Sequence, residues 1–252
     1  MGRLEGKTAI ITGAGSGIAK VATGIFIREG AKVMVAELNE AAGAATAAET
    51  GAVFQRTDVT DDASAAACAA AAMAEFGRID ILFNCAGGSV VEDTKIHEVD
   101  LEVWDRTIPL DLKGPMLMCR HVVPHMIAGG GGAVVNISSV VALRGNHPAH
   151  IYSAAKGGLI SFTRSLAGSY SDEGVRANVI CPGLILTERI RARYRQPNEE
   201  RLREASVGVF EQYPFGVGEP QDIANIGLFL ASDESRMVNG AVIPAEGGIS
   251  AY

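Results

Sequence analysis

The stretch that decides the fold reads Thr12-Gly-Ala-Gly-Ser-Gly-Ile-Ala19. It follows an apolar run, Lys7–Ile11, that is typical of a buried strand, and it leads into a helical segment that ends near Glu29. A second apolar run, Lys32–Ala36, comes directly afterwards. A strand, a glycine-rich turn, a helix and a second strand form a unit that binds dinucleotides, because backbone N–H groups at the helix N-terminus face the pyrophosphate.

The glycines of this turn are Gly13, Gly15 and Gly17. Glycine is needed there because a Cβ would keep the backbone away from the phosphates, although any tight turn between a strand and a helix also favours glycine. The acid Glu37 ends the second strand and makes the signal more specific. A carboxylate at this place accepts hydrogen bonds from both ribose hydroxyls of NAD and repels a 2′-phosphate. We therefore predict NAD as the cofactor.

The rest of the chain alternates between strand-like and helix-like segments. Further strands are predicted at Val53–Gln55, Ile79–Phe83, Ala133–Ile137, Val175–Cys181 and Gly240–Ile243. Further helices are predicted from Asn39 to about Thr50, from Asp61 to near Gly77, over Leu101–Thr107 and, after an interruption at Pro109, from Leu110 to about Ala128. This alternation predicts a parallel sheet covered by helices on both faces. Neither a repeat nor a linker divides the chain, so we predict one domain over residues 1–252.

Composition excludes several classes of partner. The 252 residues carry a net charge of −7, which argues against nucleic acid and anionic membranes. The N-terminus shows no signal-peptide core, and no apolar run reaches the length of a membrane span. The cysteines are isolated and no metal-ligand pattern accompanies them, which predicts reduced thiols; they are Cys68, Cys85, Cys119 and Cys181. We expect a cytoplasmic protein that acts on a small molecule and holds no metal.

Candidate chemistry lies in the segment Asn136–Lys156. Tyr152 and Lys156 are spaced i and i+4 in a helical segment, which places phenol and ammonium on one face. A nearby cation favours the phenolate, so we expect Lys156 to lower the pKa of Tyr152 and make it a proton acceptor. Ser139, at the end of the preceding strand, can donate a hydrogen bond to the reacting oxygen. Taken alone, the tyrosine and lysine are more typical of an ordinary helix surface than of an active site.

The serine lies thirteen residues before the tyrosine, and this arrangement resembles the active-site segment of the short-chain dehydrogenase/reductase family. The glycine-rich turn is similar to the family fingerprint Thr-Gly-x-x-x-Gly-x-Gly, with Ala19 in place of the last glycine. Further matches occur in order along the whole chain: Asp58-Val59, Asn84-Cys85-Ala86-Gly87, Pro182-Gly183 followed by Thr187, Gly218–Ala224, Asn239-Gly240 and Gly247-Gly248.

The resemblance implies a doubly wound, Rossmann-type sheet of about seven strands in a single domain. It also implies hydride transfer between NAD and a secondary alcohol or ketone. Tyr152 would be the general acid/base, Lys156 would lower its pKa and contact the nicotinamide ribose, and Ser139 would orient the substrate oxygen. The implied cofactor-binding residues are Gly13, Gly15, Ser16, Gly17, Ile18, Glu37, Leu38, Asp58, Val59, Asn84, Ala86, Gly87, Tyr152, Lys156, Pro182, Gly183, Ile185 and Thr187.

Two further expectations follow from the same resemblance. Neither Ser16 nor Leu38 is the basic residue that NADP-dependent members commonly carry, which again favours NAD. The family implies a homotetramer in which the helices after Leu110 and Ile151 pack across a dimer face.

One position departs from the family pattern. Asp111 stands where the family usually has an asparagine that holds a water connecting the lysine to solvent. A carboxylate accepts a hydrogen bond from that water but cannot donate one, and it adds negative charge near Lys156 and Tyr152. One interpretation is a working relay with altered pH dependence, in which Asp111 is part of the catalytic set. The other is a non-catalytic or impaired NAD-binding protein on the same fold.

The segment 183–215 is predicted to form a substrate lid, because it is long and follows the carboxyl end of a strand. It carries six arginines against four glutamates between Glu188 and Glu204. These charges are typical of a solvated helix face, and the alternative is a basic lid that accepts an anionic substrate. His147 and His150 lie near the tyrosine without a ligand pattern and are predicted to be pocket wall or surface.

Overall fold

A single sheet of seven parallel strands forms the centre of the computed structural model, which describes residues 2–145, 147–195 and 211–251. The strands are β1 (Thr8–Thr12), β2 (Lys32–Glu37), β3 (Val53–Arg56), β4 (Ile81–Asn84), β5 (Gly132–Ile137), β6 (Val175–Pro182) and β7 (Val242–Ala245). Their order is β3-β2-β1-β4-β5-β6-β7. The order reverses between β1 and β4, and open sheets of this kind bind ligands at the carboxyl ends of the strands beside such a reversal.

Helices cover both faces of the sheet. They are α1 (Gly17–Arg28), α2 (Glu40–Thr50), α3 (Asp62–Phe76), α4 (Leu101–Ile108), α5 (Gly114–Ala128), α6 (His150–Ser169), α7 (Glu188–Arg195) and α8 (Pro220–Ala231). The predicted doubly wound α/β fold is therefore confirmed. None of the helices in the described ranges is long and apolar enough to cross a membrane.

Two apolar layers hold the helices to the sheet. On one face, α1 and α8 pack against β1 and β4 around Phe26 and Phe83, whose rings meet edge to face at 5.8 Å between centroids. On the other face, α3 and α5 pack against the same strands. The alanines of α3 are fully buried at Ala65 and Ala72, because small side chains let a helix lie close to a sheet.

Two strands begin two residues later than the sequence predicts, and one helix was not predicted. β4 begins at Ile81 instead of residue 79, and β7 lies two residues later than expected. The helix α8 was not predicted, although its N-terminal signals are in the sequence. Glu219 and Asp222 form a capping box around Pro220 at the first helical position.

The predicted interruption of the helix at Pro109 is wrong. Residues Pro109–Lys113 form a π-helical turn that joins α4 to α5 without a break. Proline lacks an N–H and cannot continue the ordinary α-helical bonding, and a wider turn accommodates that loss. This turn carries Asp111, whose side chain is fully buried.

Candidate active site

A cavity of about 330 Å³ lies at the carboxyl ends of β1 to β4, beside the reversal of strand order. Most of the predicted cofactor residues line it: Gly13, Ser16, Gly17, Ile18, Glu37, Leu38, Asp58, Val59, Ala86, Gly87 and Thr187. The sequence analysis did not identify six other lining residues as cofactor contacts: Ala19, Ala36, Thr57, Cys85, Leu110 and Arg189.

The glycine-rich turn fits closely against the segment after β4. A Cβ placed on Gly13, which has φ of +70°, would come within 2.7 Å of the Cα of Ala86. The hydroxyl of Thr12 accepts hydrogen bonds from the N–H groups of Cys85 and Ala86 at 3.0 and 3.1 Å. The two walls of the cavity are thus held together without side chains filling the space between them, as a dinucleotide pyrophosphate requires.

Glu37 is fixed at the end of β2 on the cavity wall. One carboxylate oxygen accepts the N–H of Gly15 at 3.0 Å, and the other accepts the N–H of Asn39 at 2.9 Å. The carboxylate is therefore held in place before any ligand arrives, and its charge faces the region where a ribose would lie. This observation fits the residues to a nicotinamide dinucleotide.

Some predicted cofactor residues are placed beside the cavity and not on its wall. Asn84 points into the sheet, where its amide donates to Asn136 at 2.9 Å, and Asn136 donates to the hydroxyl of Thr163 at 2.8 Å. This chain of bonds joins β4 and β5 to α6, which carries the catalytic candidates. Four further predicted residues belong to the surrounding scaffold: Gly15, Pro182, Gly183 and Ile185.

Lys156 is 3% exposed and is held from two sides. Its ammonium donates to the carbonyl of Ile137, at the end of β5, at 3.0 Å. It also forms an ion pair with the Asp111 carboxylate at 3.1 Å. Burial lowers the pKa of Lys156, but Asp111 and Tyr152 outweigh this and hold the pKa above its ordinary value. The ammonium therefore stays charged at neutral pH.

Asp111 contacts the lysine directly, whereas the sequence analysis expected a contact through water. The same oxygen, Oδ1, accepts the N–H of Gly88 at 2.9 Å. The other oxygen, Oδ2, is buried and has no hydrogen-bond partner among the described residues. A Cβ on Gly87 would overlap the Asp111 carboxylate, so only glycine fits this place. The π-helical turn brings the carboxylate to this position.

Tyr152 lies one turn before Lys156, and the lysine Nζ is 5.5 Å from the centre of its ring. Burial raises the pKa of Tyr152, and the charge of Asp111 raises it further. Lys156, Arg189 and a hydrogen bond with Ser139 lower it, but the sum leaves the pKa above the ordinary value. Lys156 lowers the pKa of Tyr152 as expected, but the expected net depression is wrong, because burial outweighs the lysine.

A functional residue that the sequence analysis missed is Asp93, which is 4% exposed. Its carboxylate accepts the N–H of Ile151 at 3.2 Å and the N–H of Tyr152 at 2.7 Å. It therefore caps the first turn of α6 from a distant loop, and a carboxylate suits the positive end of a helix dipole. No local pattern marks this role, because the cap comes from 58 residues away.

The described part of the predicted lid consists of α7 and the residues that enter and leave it. Ile185 pairs with Gly218 in a short parallel bridge, and Arg191 forms an ion pair with Glu219. Thr187 and Arg189 reach the cavity wall. The side chains of Arg193 and Arg195, and the whole of residues 196–210 with Arg201 and Arg203, lie outside the described residues.

His147 and His150 lie near the start of α6. The ring of His147 accepts the N–H of Ala149 at 3.2 Å, and burial lowers its pKa. His150 is the exposed first residue of α6. Within the described ranges no group of histidine, cysteine or acidic residues could hold a metal ion.

Comparison with known proteins places this chain in a family. A family profile described as enoyl-(acyl carrier protein) reductase matches residues 13–250. D-threitol dehydrogenase of Mycolicibacterium smegmatis is 37% identical, covering 98% of this chain and 94% of that protein. Cis-4-hydroxycyclohexanecarboxylate dehydrogenase of Sinomonas cyclohexanicum is 36% identical, covering 97% of both.

Solved structures agree with these relatives. A putative short-chain dehydrogenase/reductase from Burkholderia xenovorans superposes with a TM-score of 0.92 at 34% identity, covering 100% of this chain and 99% of that one. The chain belongs to the short-chain dehydrogenase/reductase family of oxidoreductases. Members of this family generally use NAD or NADP.

Proposed function

We propose that the protein is an NAD-dependent oxidoreductase that interconverts a secondary alcohol and a ketone. The observation that carries the proposal is the cluster of Ser139, Tyr152 and Lys156, in which the lysine lies behind Gly87, a residue that lines the same cavity as Glu37. The lysine is buried and charged, and the tyrosine lies within its field. Two relatives, named as dehydrogenases of D-threitol and of cis-4-hydroxycyclohexanecarboxylate, support an alcohol as substrate.

In this proposal each residue has one task. A bound nicotinamide supplies or accepts the hydride. The Tyr152 hydroxyl gives a proton to the substrate oxygen during reduction and takes one during oxidation. Ser139 donates a hydrogen bond to the same oxygen, and the charge of Lys156 stabilises the phenolate. Because the pKa of the phenol is raised, Tyr152 is protonated at neutral pH and ready to act as an acid. Alcohol oxidation should therefore accelerate as the pH rises.

The residues proposed to hold NAD fall into three groups. The turn from Gly13 to Ile18 would surround the pyrophosphate, and Asp58 with Val59 would contact the adenine. Thr187 would contact the nicotinamide end. Glu37 would accept the ribose hydroxyls and exclude a 2′-phosphate.

The choice of NAD over NADP has a direct test. We expect kcat/KM for NAD to exceed that for NADP by at least about tenfold, or roughly 1.4 kcal/mol. Replacing Glu37 with Gln removes the charge but keeps the shape of the side chain. The ratio of kcat/KM for NAD to that for NADP should fall, mainly because kcat/KM for NADP rises. Equal kcat/KM for the two cofactors in the unmodified protein would refute the assignment of Glu37 to the ribose.

The role of Tyr152 is tested by a matched pair of substitutions on α6. Tyr152→Phe keeps the ring but removes the proton carrier, so turnover should fall by about 10² or more while NAD affinity is kept. Tyr170→Phe, at the other end of the same helix, is the control and should keep normal turnover. Near-normal kcat in Tyr152→Phe would remove the tyrosine from the mechanism.

A second candidate function is a non-catalytic NAD-binding protein. The direct contact between Asp111 and Lys156 favours it, because the carboxylate offsets the lysine charge and raises the pKa of Tyr152. The two functions are separated by measuring NADH production on a panel of secondary alcohols beside calorimetric NAD binding. Tight binding without turnover on any alcohol or ketone would establish the second function.

We also propose that the protein assembles as a homotetramer, with α4 to α6 at a subunit face. Large apolar side chains are exposed on α4 and α5, with Leu101 76% exposed, Trp104 49% and Met116 43%. Such a patch is typical of a protein interface. Light scattering after size exclusion should give four times the chain mass of 26.3 kDa, and a monomer would refute the proposal.

A further inference from the structure

The second residue of α7, Arg189, carries a charge in an unfavourable place on its own helix. Cations are destabilising in the first turn of a helix, where the dipole is positive. A contact outside α7 is therefore expected to stabilise this cation. Arg189 lies on the cavity wall, two residues after Thr187, so a contact within the cavity can account for it.

The guanidinium of Arg189 lies directly against Gly88, with its two terminal nitrogens nearest. A Cβ placed on Gly88, which has φ of +142°, would overlap the two terminal nitrogens and the central carbon of the guanidinium. Gly88 is also the residue whose N–H donates to Asp111. The arginine is thus seated on the backbone that encloses the Asp111–Lys156 pair, and its charge acts on both Tyr152 and Cys85.

Arg189 has no acidic partner among the residues that the structure describes. Arg191, two positions later, makes the contrast clear. It forms an ion pair with Glu219 and donates to the carbonyl of Leu186 at 3.0 Å. Arg191 therefore fastens the helix, whereas Arg189 lines the cavity without a carboxylate from the described residues, and its charge acts on the phenol of Tyr152. The planar N–H donors of a guanidinium bind carboxylates through two parallel hydrogen bonds.

From this placement we infer that Arg189 binds a carboxylate on the substrate, so that the enzyme acts on hydroxy acids or keto acids. The inference rests on the proposed function of the site and names its substrate class. The carboxylate lies apart from the reacting carbon, because Tyr152 and Ser139 hold the substrate oxygen while Arg189 holds the acid group. The pyrophosphate of the dinucleotide is the other anion within this cavity, and the experiment separates the two.

The test compares matched acids and amides. The probes are 3-hydroxybutyrate and cis-4-hydroxycyclohexanecarboxylate, each beside its neutral carboxamide. We expect the unmodified protein to show at least about a tenfold higher kcat/KM for the acid in one or both pairs. Arg189→Met should reduce that ratio to within about twofold, and Arg189→Lys should keep part of it. Arg191→Met is the control on the same helix, and it should preserve the ratio because the ratio cancels general losses.

Binding to the complex with NADH gives a readout that does not require turnover. Quenching of NADH fluorescence should show tighter binding of cyclohexanecarboxylate than of cyclohexanecarboxamide, and Arg189→Met should remove the difference. If no acid is preferred in either assay, the inference is overturned. If Arg189→Met instead weakens NADH binding and leaves the acid-to-amide ratio unchanged, the guanidinium serves the pyrophosphate and the inference is also overturned. Turnover of the neutral amides without preference would refute only this inference, whereas absence of turnover on every alcohol would count against the proposed function.

Discussion

Two buried carboxylates lie at opposite ends of the sheet, and each is paired with a cation. They differ in the exposure of that cation and in the hydrogen bonds that their oxygens accept. Asp80, at the amino end of β4, is 5% exposed and accepts the N–H of Thr8 at 2.8 Å, its hydroxyl at 3.1 Å and the guanidinium of Arg78. The side chain of Arg78 is half exposed. Asp111, at the carboxyl end, is fully buried, faces the buried Lys156 and leaves one oxygen without a partner among the described residues.

The difference separates a structural carboxylate from a functional one. A buried ion contributes to stability only when its lone pairs are filled and its partner remains partly solvated, which is the situation of Asp80. At Asp111 both ions are desolvated, and one oxygen lacks a bond, so this pair adds little to stability. Its effect falls on the pKa values of Lys156 and Tyr152. Substitution of Asp80 should therefore change the free energy of unfolding, whereas substitution of Asp111 should change the pH dependence of the reaction.

The largest expected effect is on stability, at the amino end. Asp80→Ala removes five hydrogen bonds at once and leaves the Thr8 N–H without an acceptor, so the free energy of unfolding should fall by about 3 kcal/mol. Turnover of the folded protein should be unchanged. Urea unfolding followed by circular dichroism measures the free energy of unfolding, and steady-state kinetics measures turnover.

Arg78→Gln serves as the control for Asp80→Ala. It should cost less than about 1 kcal/mol, because the arginine side chain is half exposed and its charge is screened. A similar loss for both substitutions would show that the ion pair, and not the bonds to Thr8, holds this end of the sheet. A drop in turnover for Asp80→Ala would contradict the separation between the two carboxylates.

A third carboxylate, Asp93, is expected to affect both the stability of the fold and the rate of the reaction. Asp93→Ala removes the cap of α6, so the free energy of unfolding should fall by about 1–2 kcal/mol. Because the capped N–H belongs to Tyr152, kcat should also fall about tenfold while the KM for NAD stays constant. Asp93→Asn keeps a hydrogen-bond acceptor, so its free energy of unfolding and its kcat should both be close to those of the unmodified protein.

The matched control for Asp93 is Asp100, which caps α4 by accepting the N–H of Glu102 at 3.0 Å. Asp100→Ala should cost about 1 kcal/mol of stability without changing kcat. If the two alanine variants lower kcat equally, the cap of α6 has no special connection with the tyrosine.

The smallest effect is expected at Asp111, and it concerns pH. Asp111→Asn removes a charge that raises the pKa of Tyr152, so the midpoint of the pH–rate profile for alcohol oxidation should move towards acid. The substitution also leaves the buried Lys156 ammonium without its carboxylate, so urea unfolding of the variant is measured beside its pH profile. Initial rates at saturating NAD between pH 7 and 12, the range in which a phenol of raised pKa titrates, provide the measurement.

The direction of the shift at Asp111 decides between two effects. Asp111 also holds the pKa of Lys156 up, and loss of the lysine charge would raise the pKa of the phenol. A shift towards alkali would therefore show that Asp111 acts mainly by keeping Lys156 charged. An unmoved midpoint would remove Asp111 from the proposed catalytic set.

The sequence predicts the parts of the fold that depend on local patterns. The β1–turn–α1–β2 unit, the parallel sheet and the placing of Tyr152 and Lys156 on one helical face follow from periodicity and spacing. The family resemblance predicted the doubly wound order. Boundaries were less accurate, as at β4, because hydrogen bonds with neighbouring strands decide where a strand begins.

The parts of the site that could not be predicted depend on contacts between distant segments. Asp93 caps α6 from a loop, and nothing within its own stretch indicates a cap. Asp111 was identified from its position, but its direct contact with Lys156 depends on the π-helical turn at Pro109. Arg189 could not be distinguished from Arg191 by sequence, because only the structure shows which guanidinium already has a carboxylate.

The bridge between Ile185 and Gly218 has a consequence for how such proteins diversify. Leu186 N–H donates to Gly218 at 2.8 Å and Gly218 N–H donates to Leu184 at 2.9 Å, so the chain leaves and rejoins the sheet at one fixed point. Changing the length of a segment whose ends are already fixed costs only about 0.6 kcal/mol per doubling. The length of the segment between these ends can therefore change without disturbing the sheet, provided that Thr187 and Arg189 keep their places on the cavity wall. One scaffold can acquire new substrates by grafting a different insert at this point.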